Sequence, residues 1–230
     1  MFSKSDPTMI EGLSGWDMLV FAISVCVCTA FFLSTHKLTT PRGKSWLISC
    51  LSSSILSVHG VHRLVDAIIN KNFTYEHIFG GEDDLSRIFM MFFMAEMTCD
   101  ILLGLIYYRK HQDVLSCYVH HIFYVWWVYY LVSHNFSRGF NFCFVMEIPT
   151  FILALGSVNA KYRNDLLFGV SFFLTRIVFH LFLIYVYGSL WYESIVWKIC
   201  SLAFVLHIYW FSNWYTSYGV NYAKSMLKKD

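Results

Sequence analysis

Long apolar stretches follow one another along this chain, separated by short polar breaks. A helix crossing a bilayer needs about 20 mostly apolar residues. Seven stretches qualify: 16–35, 46–66, 87–108, 114–133, 140–158, 166–187 and 194–214. The first is the cleanest, from Trp16 into the run Met18–Leu33, which holds no charged residue. The second is rich in serine, and the fifth carries Glu147 and Pro149. Such breaks are tolerated where neighbouring helices satisfy the freed backbone. The pattern therefore predicts an all-α, multi-pass membrane protein.

Loop charge orients the spans. Lys37, Arg42, Lys44, Arg109, Lys110, Lys161, Arg163, Lys224, Lys228 and Lys229 fall on one side. Lys4, Lys71, Arg87, Arg138 and Lys198 fall on the other. Cytosolic loops are the more basic, so the amino terminus is expected in the lumen and the carboxyl terminus in the cytosol. Asn72-Phe-Thr74 and Asn135-Phe-Ser137 have the form of N-glycosylation sequons, and both fall on the lumenal side. Asp6, Glu11 and Asp17 outnumber Lys4 ahead of the first span. That favours a retained span over a cleaved signal peptide, which starts with positive charge. The ending Leu227-Lys228-Lys229-Asp230 loosely resembles a dilysine retrieval signal, which suits the endoplasmic reticulum.

Composition sharpens this picture. The 230 residues are 57% hydrophobic, 20% aromatic and 14% charged, against about 25% charged in a soluble domain. A net charge of +2 supplies no basic field for nucleic acid. The seven cysteines all fall within the spans and read as buried apolar thiols, with no structural disulfide.

Ionisable residues inside spans are costly and mark internal polar sites. Here they are numerous: His59, His62, Arg63 and Asp66 on span 2, Glu96 and Asp100 on span 3, His120 and His121 on span 4, Glu147 on span 5, Arg176 and His180 on span 6, and His207 on span 7. Glu96 and Asp100 share a helix face, as do Arg176 and His180. His62, Arg63 and Asp66 sit toward the lumenal rim. Spans 3 and 4 are joined by a short loop near Gln112 and should pack antiparallel, so Asp100 can meet one of the two histidines. A carboxylate there would fix that histidine's tautomer. Arg176 reads as an ion-pair partner of Glu147 or Glu96. His59, Glu96, Glu147, Arg176, His180 and His207 are expected to line an internal cavity, with helix–helix hydrogen bonding the alternative for His180 and His207. No HxxxH pair or cysteine–histidine spacing suggests a metal, and no metal site is expected.

At span 4 the segment His120-His121-Ile-Phe-Tyr-Val-Trp-Trp, followed by Asn135-Phe-Ser-Arg138, resembles the TLC domain (TRAM, LAG1, CLN8). The Asp100 span before it and Phe172-Phe-Leu-Thr-Arg176 after it also fit, so the resemblance covers about 44–215. It divides the chain into a lumenal segment (1–15), an extra transmembrane helix with a cytosolic loop (16–43), the TLC domain (44–215) and a cytosolic tail (216–230). The resemblance implies six helices in a barrel around a lipid-accessible cavity. In ceramide synthases, paired histidines pass a fatty acyl chain from acyl-coenzyme A to a sphingoid-base amine. Transferred here, that role falls on His120 and His121, with Asp100 orienting one of them and acyl-coenzyme A as co-substrate. No bound cofactor is implied. The expected partner is a membrane lipid, with a homodimer among the arrangements allowed. Ceramide synthases place a His-Asp-x-x-Asp cluster later in the motif, where this chain reads Glu147-Ile-Pro149-Thr150. In this it looks more like the TLC-domain proteins that are not ceramide synthases. The alternative reading is a non-catalytic lipid-binding regulator, or a cargo or partner receptor of the endoplasmic reticulum.

Overall fold

A computed structural model describes residues 12–79 and 81–221. The first eleven residues and the tail from 222 onward, with Lys224, Lys228, Lys229 and the dilysine-like ending, lie outside the described residues. Eleven α-helices occur among the described residues, and no strand. They are α1 Gly15–Thr35, α2 Pro41–Lys44, α3 Leu47–Ile69, α4 Tyr75–Ile78, α5 Asp84–Tyr107, α6 His120–Ser133, α7 Ser137–Asn141, α8 Ile148–Val158, α9 Asp165–Phe172, α10 His180–Leu190 and α11 Ile195–Trp214. Wide π-helical turns at Val114–Val119 and Phe173–Phe179 run into α6 and α10.

Among the described residues, five continuous helical stretches are long and apolar enough to cross a membrane: Gly15–Leu38, Asp84–Tyr107, Ser137–Val158, Asp165–Leu190 and Ile195–Gly219. The other two expected spans are helical but less apolar. Helix α3 carries Ser52, Ser53, Ser54 and Ser57 besides His59, His62, Arg63 and Asp66. The 114–133 stretch spends its length on paired histidines, tryptophans and tyrosines, whose polar atoms lower its hydropathy.

Local signals set the helix ends. Ser14 caps α1 in a reciprocal box: its Oγ accepts from the Asp17 N–H at 3.1 Å, and Asp17 accepts from the Ser14 N–H at 2.8 Å. Asp83 caps α5 and Asn164 caps α9. In α1 the buried positions Val20, Ser24, Cys28 and Phe32 recur every fourth residue, while Leu19, Ile23 and Val27 stay exposed. One stripe meets the protein, and the rest is the face a bilayer would cover.

The helices pack in an arc. Helix α6 lies on α5, α5 on α3, α3 on α8, α8 on α9, and α10 on α11, while α1 stands outside against α5 and α3. The close approach of α3 to the 142–147 segment depends on Gly60. A methyl there would run into the backbone of Phe144 and Val145. Gly60→Ala should therefore destabilise the fold by about 1–3 kcal/mol, as overpacking does. Thermal unfolding in detergent would show this as a lowered midpoint.

Two sets of contacts gather opposite ends of the spans, as an alternating chain requires. At one end the Asp17 carboxylate accepts from Arg87 Nε at 3.0 Å and Nη2 at 2.5 Å. Arg63 and Arg138 both pair with Asp83 at 3.3 Å. At the other end the Thr39 hydroxyl donates to the Val158 carbonyl at 2.8 Å, and Arg163 donates to the Tyr218 hydroxyl at 2.9 Å. Asn72 and Asn135 both sit in loops at the first end, and Arg87 donates to the Asn135 side-chain oxygen at 3.2 Å.

Glu82, in the loop before α5, accepts from the Ser137 N–H at 2.6 Å through Oε1, while Oε2 is buried with no hydrogen-bond partner. Burial pushes this carboxyl up to about 7, from an ordinary value of 4.5. The folded chain thus holds the proton more tightly than the unfolded chain does. The stability this group contributes is complete below pH 4.5 and falls as pH rises toward 7. Glu82→Gln keeps an acceptor for Ser137 and should flatten the unfolding midpoint across pH 4.5 to 7.

Candidate functional site

The concave side of the arc holds a cavity of about 460 Å³. Every long helical segment except α1 and α10 contributes to its wall: Ser49 and Ser52 from α3, Glu96 and Asp100 from α5, His120 and His121 from α6, Thr150 and Leu153 from α8, Phe168 and Phe172 from α9, and Trp210 from α11. Ser45, Trp46, His111 and Asp113 carry the lining out to the end bearing Arg109, Lys110 and Lys161.

Six of the nine residues expected at the site meet here: Asp100, His120, His121, Glu96, Glu147 and Arg176. The anticipated carboxylate–histidine contact is made by His121, whose Nδ1 lies 3.4 Å from Asp100 Oδ2. Adjacent positions on a helix point in different directions, so His120 turns elsewhere. Its ring packs 4.6 Å from Tyr124 and 5.8 Å from Trp210, centroid to centroid. Arg176 resolves to Glu147, at 3.5 Å, and also donates to the Met146 carbonyl at 2.8 Å and the Thr150 hydroxyl at 2.7 Å. Glu96 is only 2% exposed, and its Oε2 has no hydrogen-bond partner. A buried polar group left without a partner is costly, so this oxygen is a ready station for a polar group of a ligand.

Three expected residues stand outside this cavity. His59 is tied to Asn141 Oδ1 at 2.5 Å and stacks on Phe89, so it joins α3 to α7 as a structural group. His180 and His207 bind one another, Nδ1 to Nδ1, at 2.8 Å and lock α10 to α11. His207 also lines a second, apolar groove of about 280 Å³ between α6 and α11, where the two ends of the arc face each other. Leu115, Val119, Phe123, Leu202 and Leu206 line it too. His120 and Trp210 belong to both the groove and the main cavity.

Sequence reasoning missed three contributors. Cys117 is no inert apolar thiol: its Sγ lies 3.7 Å from both Asp100 Oδ2 and His121 Nδ1. The four-residue spacing of Cys117 and His121 was the available signal. The Tyr108 hydroxyl donates to Asp100 Oδ1 at 2.6 Å, and Gln112 Nε2 donates to the Asp100 carbonyl at 3.1 Å and to Cys117 Sγ at 3.3 Å. Neither position stands out in the sequence, because both lie in the loop region that folds back under α5. The π-helical turns hold Cys117 and Arg176 just ahead of His120 and His180, and such turns recur at functional sites.

The family model of the TLC domain matches residues 42–215. The chain belongs to the TLC-domain family. The match begins just ahead of α3 and ends just after α11, so α1 precedes the TLC domain and packs on its outside. Membership fits a multi-pass membrane protein with a lipid-related function. Searches among curated proteins and among solved structures returned no match.

Proposed function

We propose that this TLC-domain protein transfers a fatty acyl group from acyl-coenzyme A to a membrane lipid, with His120 as the reacting side chain. The observation that carries this reading is the place of His120, at the junction of the polar cavity and the apolar groove. An amphiphile lying along the groove between α6 and α11 brings its chain against Leu202 and Phe123 and its carbonyl to the His120 ring. Acyl-coenzyme A approaches from the mouth beside Arg109 and Lys110, whose charge suits its phosphates, with that end in the cytosol. The endoplasmic reticulum is the compartment this assignment implies.

Chemically, the imidazole serves as general base, taking the proton of the acceptor's amine or hydroxyl as that atom bonds the acyl carbon and returning it to the departing coenzyme A thiolate, or as the nucleophile that takes the acyl group, releases coenzyme A as its thiol and hands the acyl group on to the acceptor. Glu96 offers its unpartnered oxygen to the acceptor's polar head. Glu147 and Arg176 neutralise one another on the opposite wall and keep it in place.

The test is transfer of label. The full chain in lipid nanodiscs is given isotope-labelled acyl-coenzyme A and a total membrane lipid extract. Labelled acyl lipid should form faster than in protein-free discs. Label that stays on coenzyme A at the blank rate, with a lipid still held by the protein, would establish the non-catalytic lipid-binding reading instead.

A further inference from the structure

Asp100 Oδ2, Cys117 Sγ and His121 Nδ1 form a triangle with edges of 3.4, 3.7 and 3.7 Å. All three side chains are buried, and all three line the main cavity. Both sulfur edges are of thiol hydrogen-bond length, with Cys117 Sγ donating to Asp100 Oδ2, but a hydrogen bond would close the nitrogen–oxygen edge to about 2.7–3.2 Å. Here that edge is longer. Tetrahedral zinc with bonds of about 2.0–2.3 Å to oxygen, nitrogen and sulfur sets ligand atoms about 3.3–3.6 Å apart. The observed triangle comes within about 0.2 Å of those edges.

The surroundings brace two of the three ligands, Asp100 and Cys117, as outer-sphere groups do. The Tyr108 hydroxyl occupies Asp100 Oδ1 and leaves Oδ2 for the triangle. Gln112 Nε2 donates to the sulfur at 3.3 Å. Gln112 is held in turn, its Oε1 accepting from the Tyr118 hydroxyl at 2.7 Å. One carboxylate and one thiolate balance a divalent charge, which matters where the dielectric is low.

We propose that Asp100, Cys117 and His121 bind one divalent transition-metal ion of the zinc class, with its fourth position open to the cavity. Three protein ligands and one open position are the arrangement of reactive rather than structural zinc sites. Binding releases the thiol proton of Cys117. The open position takes a water, or an oxygen of a ligand's head group entering the cavity. This inference rests on the three side chains alone and does not depend on acyl transfer.

Cobalt(II) is the probe. The full chain, purified in detergent and stripped with chelator, is titrated with Co²⁺, and its absorption is followed. Binding of about one ion per chain, with the intense thiolate-to-cobalt band and the visible bands of four-coordinate cobalt, is expected. Cys117→Ser should lose the thiolate band. Tyr108→Phe keeps all three ligands and should weaken binding about 10–100-fold. A native chain that shows no thiolate band in saturating Co²⁺ overturns the site, as does a Cys117→Ser spectrum equal to the native one. The native spectrum decides the matter even where a variant fails to fold. A chain that binds cobalt but transfers no label overturns acyl transfer alone, and one that transfers label but binds no metal overturns this inference alone.

Discussion

If the protein transfers acyl groups as proposed, His120→Ala should lower labelled acyl transfer by about 100-fold or more, the range lost when a positioned acid–base group is removed, and leave the fold intact. The reason lies in the surroundings of the ring. His120 faces two open volumes and is held by ring packing against Tyr124 and Trp210, and no hydrogen bond to its ring occurs among the described residues. Removing it enlarges a cavity that already exists and leaves no buried partner stranded. The neighbouring substitution behaves differently. His121→Ala leaves the buried Asp100 without its histidine, so activity and stability fall together. Rates measured beside unfolding midpoints separate the two variants. A His120→Ala chain with native turnover removes this residue from the chemistry.

Arg87→Ala produces the largest loss of stability. Asp17 is fully buried, and its carboxylate is gripped by Arg87 in a two-point contact. Removing one partner of a buried ion pair leaves an uncompensated charge and costs about 3–5 kcal/mol. The pair also has a topological role. It joins α1, outside the TLC domain, to α5 inside it, and Arg87 reaches on to Asn135 and the Val132 carbonyl. Limited proteolysis of Arg87→Ala should release α1 early. The double variant Asp17→Ala/Arg87→Ala should be less destabilised than the two single effects added, because no lone charge remains. Strict additivity would show that the contact carries no coupling.

Much of this arrangement was legible from residue types and spacing. Seven apolar stretches separated by polar breaks gave the helices, because a helix in lipid must satisfy its own backbone. The short connection near Gln112 forced spans 3 and 4 together, and Asp100 duly meets one of the paired histidines. Arg176 needed an acid at its own depth and found Glu147.

What escaped the sequence was settled by packing. His59 looks like a cavity residue in a one-dimensional reading, since a polar group in a span suggests water or ligand, while for His180 and His207 the sequence leaves cavity lining and helix–helix bonding both open. His180 and His207 bond one another, His207 also lining the apolar groove, and His59 is satisfied by Asn141, which sits 82 positions away in the chain. Cys117 was hidden for the opposite reason. A thiol in an apolar run resembles its neighbours, and only the fold-back of Tyr108 and Gln112 reveals its polar company. The hydropathy of α3 and of the 114–133 stretch fell short because polar side chains are spread along both, some buried like Ser52, Ser53 and His121 and others exposed like His62 and Tyr129.

The central claim is that His120 does chemistry on a membrane lipid. Its most direct test is untargeted lipid mass spectrometry of cells lacking the protein, cells restored with the native chain, and cells restored with His120→Ala at matched expression. The account predicts one acyl-lipid class that returns with the native chain and stays depleted with the variant. Equal restoration by the variant would contradict it and leave a protein that binds lipid without transforming it.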